Sequence, residues 1–418
     1  MPPNHVPPTR APVFEPDSAR RLITKTKHRL YTLVLLIVAL GLMELGAYLV
    51  AQKLAKNGKG LYFPCISESY EDFLSRLHPG LGWPSPDFIS KRPGYFDEVG
   101  SRVVPEFPDP LRHSPCVSLY GDSYTEGFGV SHEEAWGNVL ARLLNCRVAN
   151  FGISGYGSDQ AYLRYQQNRA DRANITILSH FTQNIARNVN QLRNFLGPSA
   201  QCQLKPRFIL DPSGRLDLVP VFSPSREAYQ NLEKDPGRYL KHEFFLPGGP
   251  SGLRMASFPY LLSLLRAAPA IARFLSNPAY WRELYEPDHP SQALPLTLAI
   301  MKQFREEARA RGQQAIIFIL PSRGDIKLHL TGEPRYYQSL IAALRQENVE
   351  VLDIGERFSQ ALGGQNPAVL FDPESNYHYS AYGNKVLAEI AADYLQKRTA
   401  FSDCRPFSSR LRKLFQVL

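Results

Sequence analysis

Leu30 to Val50 is an apolar run interrupted only by Glu44. About 20 such residues span the hydrocarbon of a bilayer, so the pattern predicts a membrane-spanning helix over residues 30–50. The run is long for the core of a signal peptide and no small-x-small cleavage site follows, which makes it an uncleaved anchor. A buried helix of a soluble core is the competing reading, but cores seldom need apolar runs of spanning length. Glu44 costs about 2.5–3.5 kcal/mol at mid-bilayer and less near the end of the run, where it lies; it is expected to mark a helix contact. Ahead of the anchor, residues 1–29 begin with Pro2, Pro3, Pro7, Pro8, Pro12 and Pro16 and read as a disordered tail.

Residues 51–110 are crowded with turn formers and show no clear period, as expected of a connector draped over a domain. From Cys116 onward a strand-then-helix rhythm sets in. Val117 to Tyr120 reads as a short buried strand, and Trp136, Val139, Leu140, Leu143 and Leu144 fall on one helical stripe. Ser131 and Glu134 have the spacing of a capping box for that helix. Further strands are expected at 147–152, 174–181, 315–321 and 349–354, with helices over 159–173, up to Gly312, over 336–347 and after Gly383. Strands alternating with helices argue a parallel sheet covered on both faces. Residues 197–295 break the rhythm with loops, a hairpin and an apolar stretch, Tyr260 to Leu275, that Pro269 is expected to interrupt. They read as an insertion, either structural or a lid or platform for substrate. Residues 399–418 form a basic tail. The predicted α/β domain is therefore 111–398.

Composition narrows the function. Hydrophobic residues make up 44% of the 418 and charged residues 21%, the balance of a folded globular chain. The net charge of +9 is spread out, apart from Arg20, Arg21, Lys25, Lys27 and Arg29. No basic patch interleaved with aromatics occurs, so nucleic acid is not an expected partner. Lys and Arg are denser before the anchor than in Lys53, Lys56 and Lys59 after it. That bias predicts a single-pass inner-membrane protein with its N-terminus in the cytoplasm and its large domain across the membrane. The five cysteines contain no C-x-x-C pair, and neither a metal nor an organic cofactor is expected. Cys116 and Cys146 each open a predicted strand; a disulfide between them, or two buried thiols, fits equally.

The chemistry collects at strand ends. Ser123 follows the first strand in Gly121-Asp122-Ser123, Gly155 follows the second, Asn184 the third and His378 the last. In a doubly wound parallel sheet the carboxyl ends of the strands share one rim. A serine there needs a histidine to take its proton. A tetrahedral intermediate also needs donors, and the N–H groups of Ser123 and Gly155 with the Asn184 amide suit that purpose. Asp122 reads as a turn residue bonding its own backbone. The G-x-S-x-G elbow of other serine hydrolases is absent.

These blocks resemble the SGNH/GDSL hydrolase superfamily: Gly-Asp-Ser at 121–123, Asn-Phe-Gly-Ile-Ser-Gly at 150–155, Phe-Thr-Gln-Asn at 181–184, and His378 with Gly383. The resemblance covers residues 95–190 and 300–397. It implies a three-layer α/β/α fold with a mostly parallel five-stranded sheet, here preceded by one transmembrane helix. It further implies hydrolysis or transfer of acyl esters, on acylated carbohydrate of the envelope or a similar small ester, on the periplasmic side. Two departures stand out. Gln183 precedes and Ile185 follows Asn184, where the family has Gly-x-Asn-Asp. The family's acid lies two or three residues before the histidine, where this chain has Asn376 and Ser375. Asp372 is the expected acid if its loop curls back; Asn376 is the alternative, and a Ser–His dyad aided by a backbone carbonyl is a third. The departures also fit a non-catalytic glycan-binding or scaffold module of the cell envelope.

Overall fold

The structure is a computed structural model that describes residues 16–86, 94–277, 279–375 and 377–397. Its centre is a five-stranded sheet of β1 (Val117–Tyr120), β2 (Val148–Asn150), β3 (Ile175–Phe181), β4 (Gln314–Leu320) and β5 (Val351–Asp353), in the order β2-β1-β3-β4-β5. Every pairing is parallel, with Val117 level with Val148 on one side and Ile175 on the other. These strands are short and almost wholly buried, as expected of a sheet covered on both faces.

Two layers of helices supply the cover, and the two faces of the strands feed separate cores. Val117, Leu119, Ile175, Ile177 and Phe318 pack against α2 (Trp136–Leu144), α7 (Ile354–Leu362) and α8 (Ala381–Gln396). Tyr120, Leu178, Ile317 and Ile319 pack against α3 (Ser158–Gln167), α5 (Ala293–Ala310) and α6 (Gln338–Gln346). This is the expected three-layer α/β/α fold. The order places the change of direction between β1 and β3, where ligands collect in open parallel sheets.

Several details differ from the sequence pattern. Glu134 does reach back to the Ser131 N–H, but α2 opens only at Trp136, whose N–H donates to the Asn384 side-chain oxygen at 3.1 Å because the N-cap residue, Ala135, has no side-chain acceptor. Leu143 is exposed, so the stripe on the sheet is Trp136, Leu140 and Leu144. His378 does not follow a strand of the main sheet. After β5 come α7 and a two-residue antiparallel ladder that pairs Phe371–Asp372 with His378–Tyr379. Cys116 and Cys146 are joined as a disulfide that ties the start of β1 to the chain entering β2; Cys65 and Cys202 are free.

The N-terminal helix α1 runs from Pro16 to Lys56, well beyond the apolar run on both sides. The expected disordered tail is thus helical from Pro16, while residues 1–15 lie outside the described residues. Thr26–Lys56 is long and apolar enough to cross a membrane. Its last turns are not free. Ala47, Ala51 and Ala55, spaced one helical turn apart, are buried, the last two in a small core with Ala256 and Ala267 of the insertion. The helix they meet, α4 (Tyr260–Ser276), continues through Pro269 rather than breaking there. Glu44 accepts hydrogen bonds from the Tyr260 and Leu261 N–H groups at 2.6 and 3.3 Å. These are orphan donors of a helix N-terminus, where a carboxylate is favoured. The expected contact of Glu44 is therefore with the insertion of its own chain.

Candidate active site

Gly121 ends β1 because nothing larger fits: an added Cβ would lie 2.0 Å from the Thr125 hydroxyl. Asp122 then caps a single turn, its Oδ1 accepting from the Tyr124 N–H at 3.0 Å, as its reading as a turn residue required. The second oxygen does more. Oδ2 accepts from the Asn184 amide at 3.1 Å and faces the Arg187 guanidinium at 3.5 Å, with the Asp122 side chain fully buried. Asp122 thereby ties the loop after β1 to the loop after β3.

Ser123 opens that turn. Its Oγ lies 2.8 Å from His378 Nε2. The imidazole rests between rings, with centroids 4.7 Å from Tyr124 and 5.0 Å from Phe128. Tyr124 is itself stacked on Phe181 at 4.0 Å. On its other side His378 Nδ1 meets the Ser375 carbonyl oxygen at 2.5 Å. A carbonyl only accepts, so Nδ1 carries the hydrogen and Nε2 is left to accept from the serine hydroxyl.

Asp372 is not the partner of that ring, and the expectation that it supplies the acid is corrected here. It sits opposite His378 in the ladder, but its carboxylate accepts from the Glu374 and Ser375 N–H groups at 3.1 and 3.2 Å. The tight Asp372–Tyr377 turn leaves those amides needing acceptors, and it delivers the Ser375 carbonyl to the imidazole. Asn376 lies outside the described residues.

The loop after β2 is held from below. Glu126 is buried and accepts from the Ser154 N–H at 2.5 Å, the Ser154 hydroxyl at 2.6 Å and the Tyr95 hydroxyl at 2.7 Å. Gly155 follows at φ +94°, and an added Cβ would press on the Trp83 ring at 2.9 Å. Glycine is required there by backbone and by space. Arg102, also buried, donates to the carbonyls of Glu126, Gly127, Val130 and Ser131 and so fixes the chain leaving Ser123.

Ser123, Gly155 and His378 thus line one cleft of about 820 Å³. Asn184 is not on its surface; it is buried behind, with its amide on Asp122. The connector contributes Trp83 to the cleft and the insertion contributes Trp281 and Arg282. None of Glu126, Arg102, Arg187 and Trp83 was foreseen. Glu126 carried a weak signal, an acid within three residues of the serine beside Gly127.

No protein-family profile matches the chain, and no curated protein matches it. Solved structures that align with it include a member of the lipolytic protein G-D-S-L family from Veillonella parvula, at 12% identity and TM-score 0.31 over 68% of this chain and 98% of that one. An acetylxylan esterase from Geobacillus stearothermophilus aligns at 13% identity and TM-score 0.34, over 67% of this chain and 94% of that one. A two-domain esterase active on acetylated mannans aligns at 8% identity and TM-score 0.33, over 70% and 50% of the two chains. Scores this low transfer no property to this chain. Its fold is read from its own sheet order and layers, which are those the SGNH/GDSL resemblance implied.

Proposed function

We propose that the protein is a membrane-anchored serine esterase or acyltransferase. The observation that carries this reading is the Ser123 Oγ–His378 Nε2 contact of 2.8 Å, with Ser375 O fixing the tautomer, at the switch point of the sheet. In this mechanism Nε2 takes the Ser123 proton as Oγ bonds to the ester carbon. The oxyanion that forms is met by the N–H groups of Ser123 and Gly155. Asn184, buried behind the cleft with its amide on Asp122, holds the two loops together and does not meet the oxyanion. The ester C–O bond then breaks, and the imidazolium returns its proton to the leaving alkoxide. Water or a carbohydrate hydroxyl, deprotonated by the same Nε2, releases the acyl group from Ser123. Ser375 O orients the ring but adds no full negative charge, so the imidazolium is stabilised less than in a Ser–His–Asp triad.

The apolar run of helix α1, residues 30–50, is the anchor, and the Lys and Arg residues before that run stay in the cytoplasm, with the cleft on the periplasmic side. The test is a serine-directed fluorophosphonate probe on the full chain, with the labelled peptide mapped by mass spectrometry. Ser123 should label, and Ser123→Ala should lower turnover of an activated acetyl ester at least about a thousandfold with the melting temperature unchanged. An unlabelled Ser123, with no turnover, would instead favour a binding module.

A further inference from the structure

The charge of the cleft bears on what it accepts. Arg187, Arg193, Arg282 and Arg323 line it together with Ser123 and His378, and no aspartate or glutamate does so among the described residues. Arg187 has Asp122 for a partner. The other three have no carboxylate partner among the described residues. Arg193 donates to the neutral Gln203 side chain and lies over the Trp83 ring at 5.6 Å. Its Nε is buried with no hydrogen-bond partner among the described residues, and the same holds for Arg323 Nε. Arg282 projects from the insertion with its guanidinium over the Tyr336 ring at 5.0 Å. Asp325, the nearest acid in sequence to Arg323, is spent on Thr182, Ser322 and Tyr336.

Such a group is costly to leave unanswered. Burial and the neighbouring Arg187 charge push Arg193 down to about 9. Like charges around a walled cleft repel one another and focus their field into it. Planar guanidinium groups bind carboxylate and phosphate through paired hydrogen bonds, and they do so best where water is scarce. The aromatic faces of Trp83 and Trp281 beside them offer apolar area to the flat face of a ring.

We propose that the substrate is an ester of an anionic carrier, a uronate- or phosphate-bearing sugar whose negative group sits on Arg193, Arg282 and Arg323 while its acyl group reaches Ser123. This rests on the esterase reading for the reaction but not for the binding of the anion.

The experiment uses the full chain in detergent, with three acetylated substrates of equal length: an oligouronate, an oligosaccharide phosphate and a neutral oligosaccharide. At low salt kcat/KM for at least one anionic substrate should exceed that for the neutral one at least tenfold, and 0.5 M NaCl should shrink the ratio. Preference for the uronate or the phosphate identifies which anion the arginines read. The Arg282→Gln/Arg323→Gln double variant should lower the anionic-to-neutral ratio at least tenfold. Binding of the deacetylated oligouronate and of the unacetylated sugar phosphate, measured by calorimetry, should show the same salt and arginine dependence. An active enzyme with a ratio near one, unchanged in the variant, overturns the anionic carrier and leaves the esterase standing. An inactive protein that still binds either anion through these arginines overturns the esterase and leaves the anion site standing. Absence of binding to both anions overturns the proposal outright.

Discussion

The loop carrying Ser123 and the loop carrying His378 meet through the Ser123–His378 contact and a Tyr124 hydroxyl bond to the Tyr377 carbonyl, but they are held in different ways. On the serine side the supports are buried charges. Asp122 joins Asn184 and Arg187, Glu126 holds Ser154, and Arg102 gathers four carbonyls. On the histidine side the carboxylate of Asp372 shapes the turn, and the groups that reach the ring are neutral. A turn offers its Ser375 carbonyl to Nδ1, and aromatic rings clasp the imidazole. The charge that a Ser–His–Asp triad places behind its histidine is here placed around Ser123 and the loop of Gly155. Ser123 and Gly155 are therefore held by buried charges, and the imidazole is oriented by a carbonyl with no carboxylate behind it among the described residues.

The largest expected effect comes from breaking the charged side. Asp122→Ala strands Arg187 in a mostly buried site, and removing one member of a buried pair costs about 3–5 kcal/mol. Urea unfolding should show a loss of that order together with loss of turnover. A variant as stable as the parent would mean that the charges do not hold this loop. Glu126→Gln is milder. It keeps the shape but gives up charge-assisted bonds to Ser154, each worth about 1.5–3 kcal/mol. A fall of about ten- to a hundredfold in kcat with little change in KM is expected, because the donors at Gly155 act on the transition state.

A third test concerns the histidine of the sheet. His180 on β3 is fully buried between the Ser158 and Tyr285 hydroxyls, and burial, with Arg187 adding to it, lowers it from 6.5 to about 3. The unfolded chain takes up this proton below about pH 6.5, whereas the folded protein refuses it until about pH 3. Stability is thus full above that window and is lost as pH falls through it, at up to about 1.4 kcal/mol per pH unit from this group. His180→Gln should flatten the fall in melting temperature between pH 6.5 and pH 4 relative to the parent. Equal slopes would show that His180 takes up protons in the folded state as readily as in the unfolded one.

The smallest effect is expected at Asp372. An asparagine there keeps an oxygen for one of the Glu374 and Ser375 amides, which Asp372 meets with separate oxygens, and the ring keeps its carbonyl partner, so Asp372→Asn should change kcat less than about tenfold. A loss of two orders of magnitude would place a carboxylate behind the histidine after all and erase the contrast between the loops.

What the sequence disclosed follows the same division. β4 was legible because a strand buried on both faces is an unbroken apolar run, as in Ala315 to Leu320, and β1 and β3 were legible as mostly apolar stretches broken by Ser118, Thr176, Ser179 and His180. Ser123, Gly155 and His378 were legible because each stands in a short local pattern. The partner of His378 was not, because a main-chain carbonyl has no letter in a sequence. Arg102, Glu126 and Arg187 were hidden for another reason: each is an ordinary surface residue type, buried only because groups distant along the chain satisfy it. Trp83 entered the cleft from a Pro- and Gly-rich stretch with no period to reveal where it would land.

Glu44 and the alanine stripe of α1 have a mechanical consequence. A catalytic domain on a flexible tether sweeps a hemisphere, and its reach is a matter of linker length. Here the helix is clamped to the insertion through Glu44, Ala51 and Ala55, and that insertion also supplies Trp281 and Arg282 to the cleft. The axis of α1 and the mouth of the cleft are parts of one rigid bracket. Tilting the helix tilts the mouth by the same angle, so the chain holds its cleft at a set attitude and height rather than trailing it.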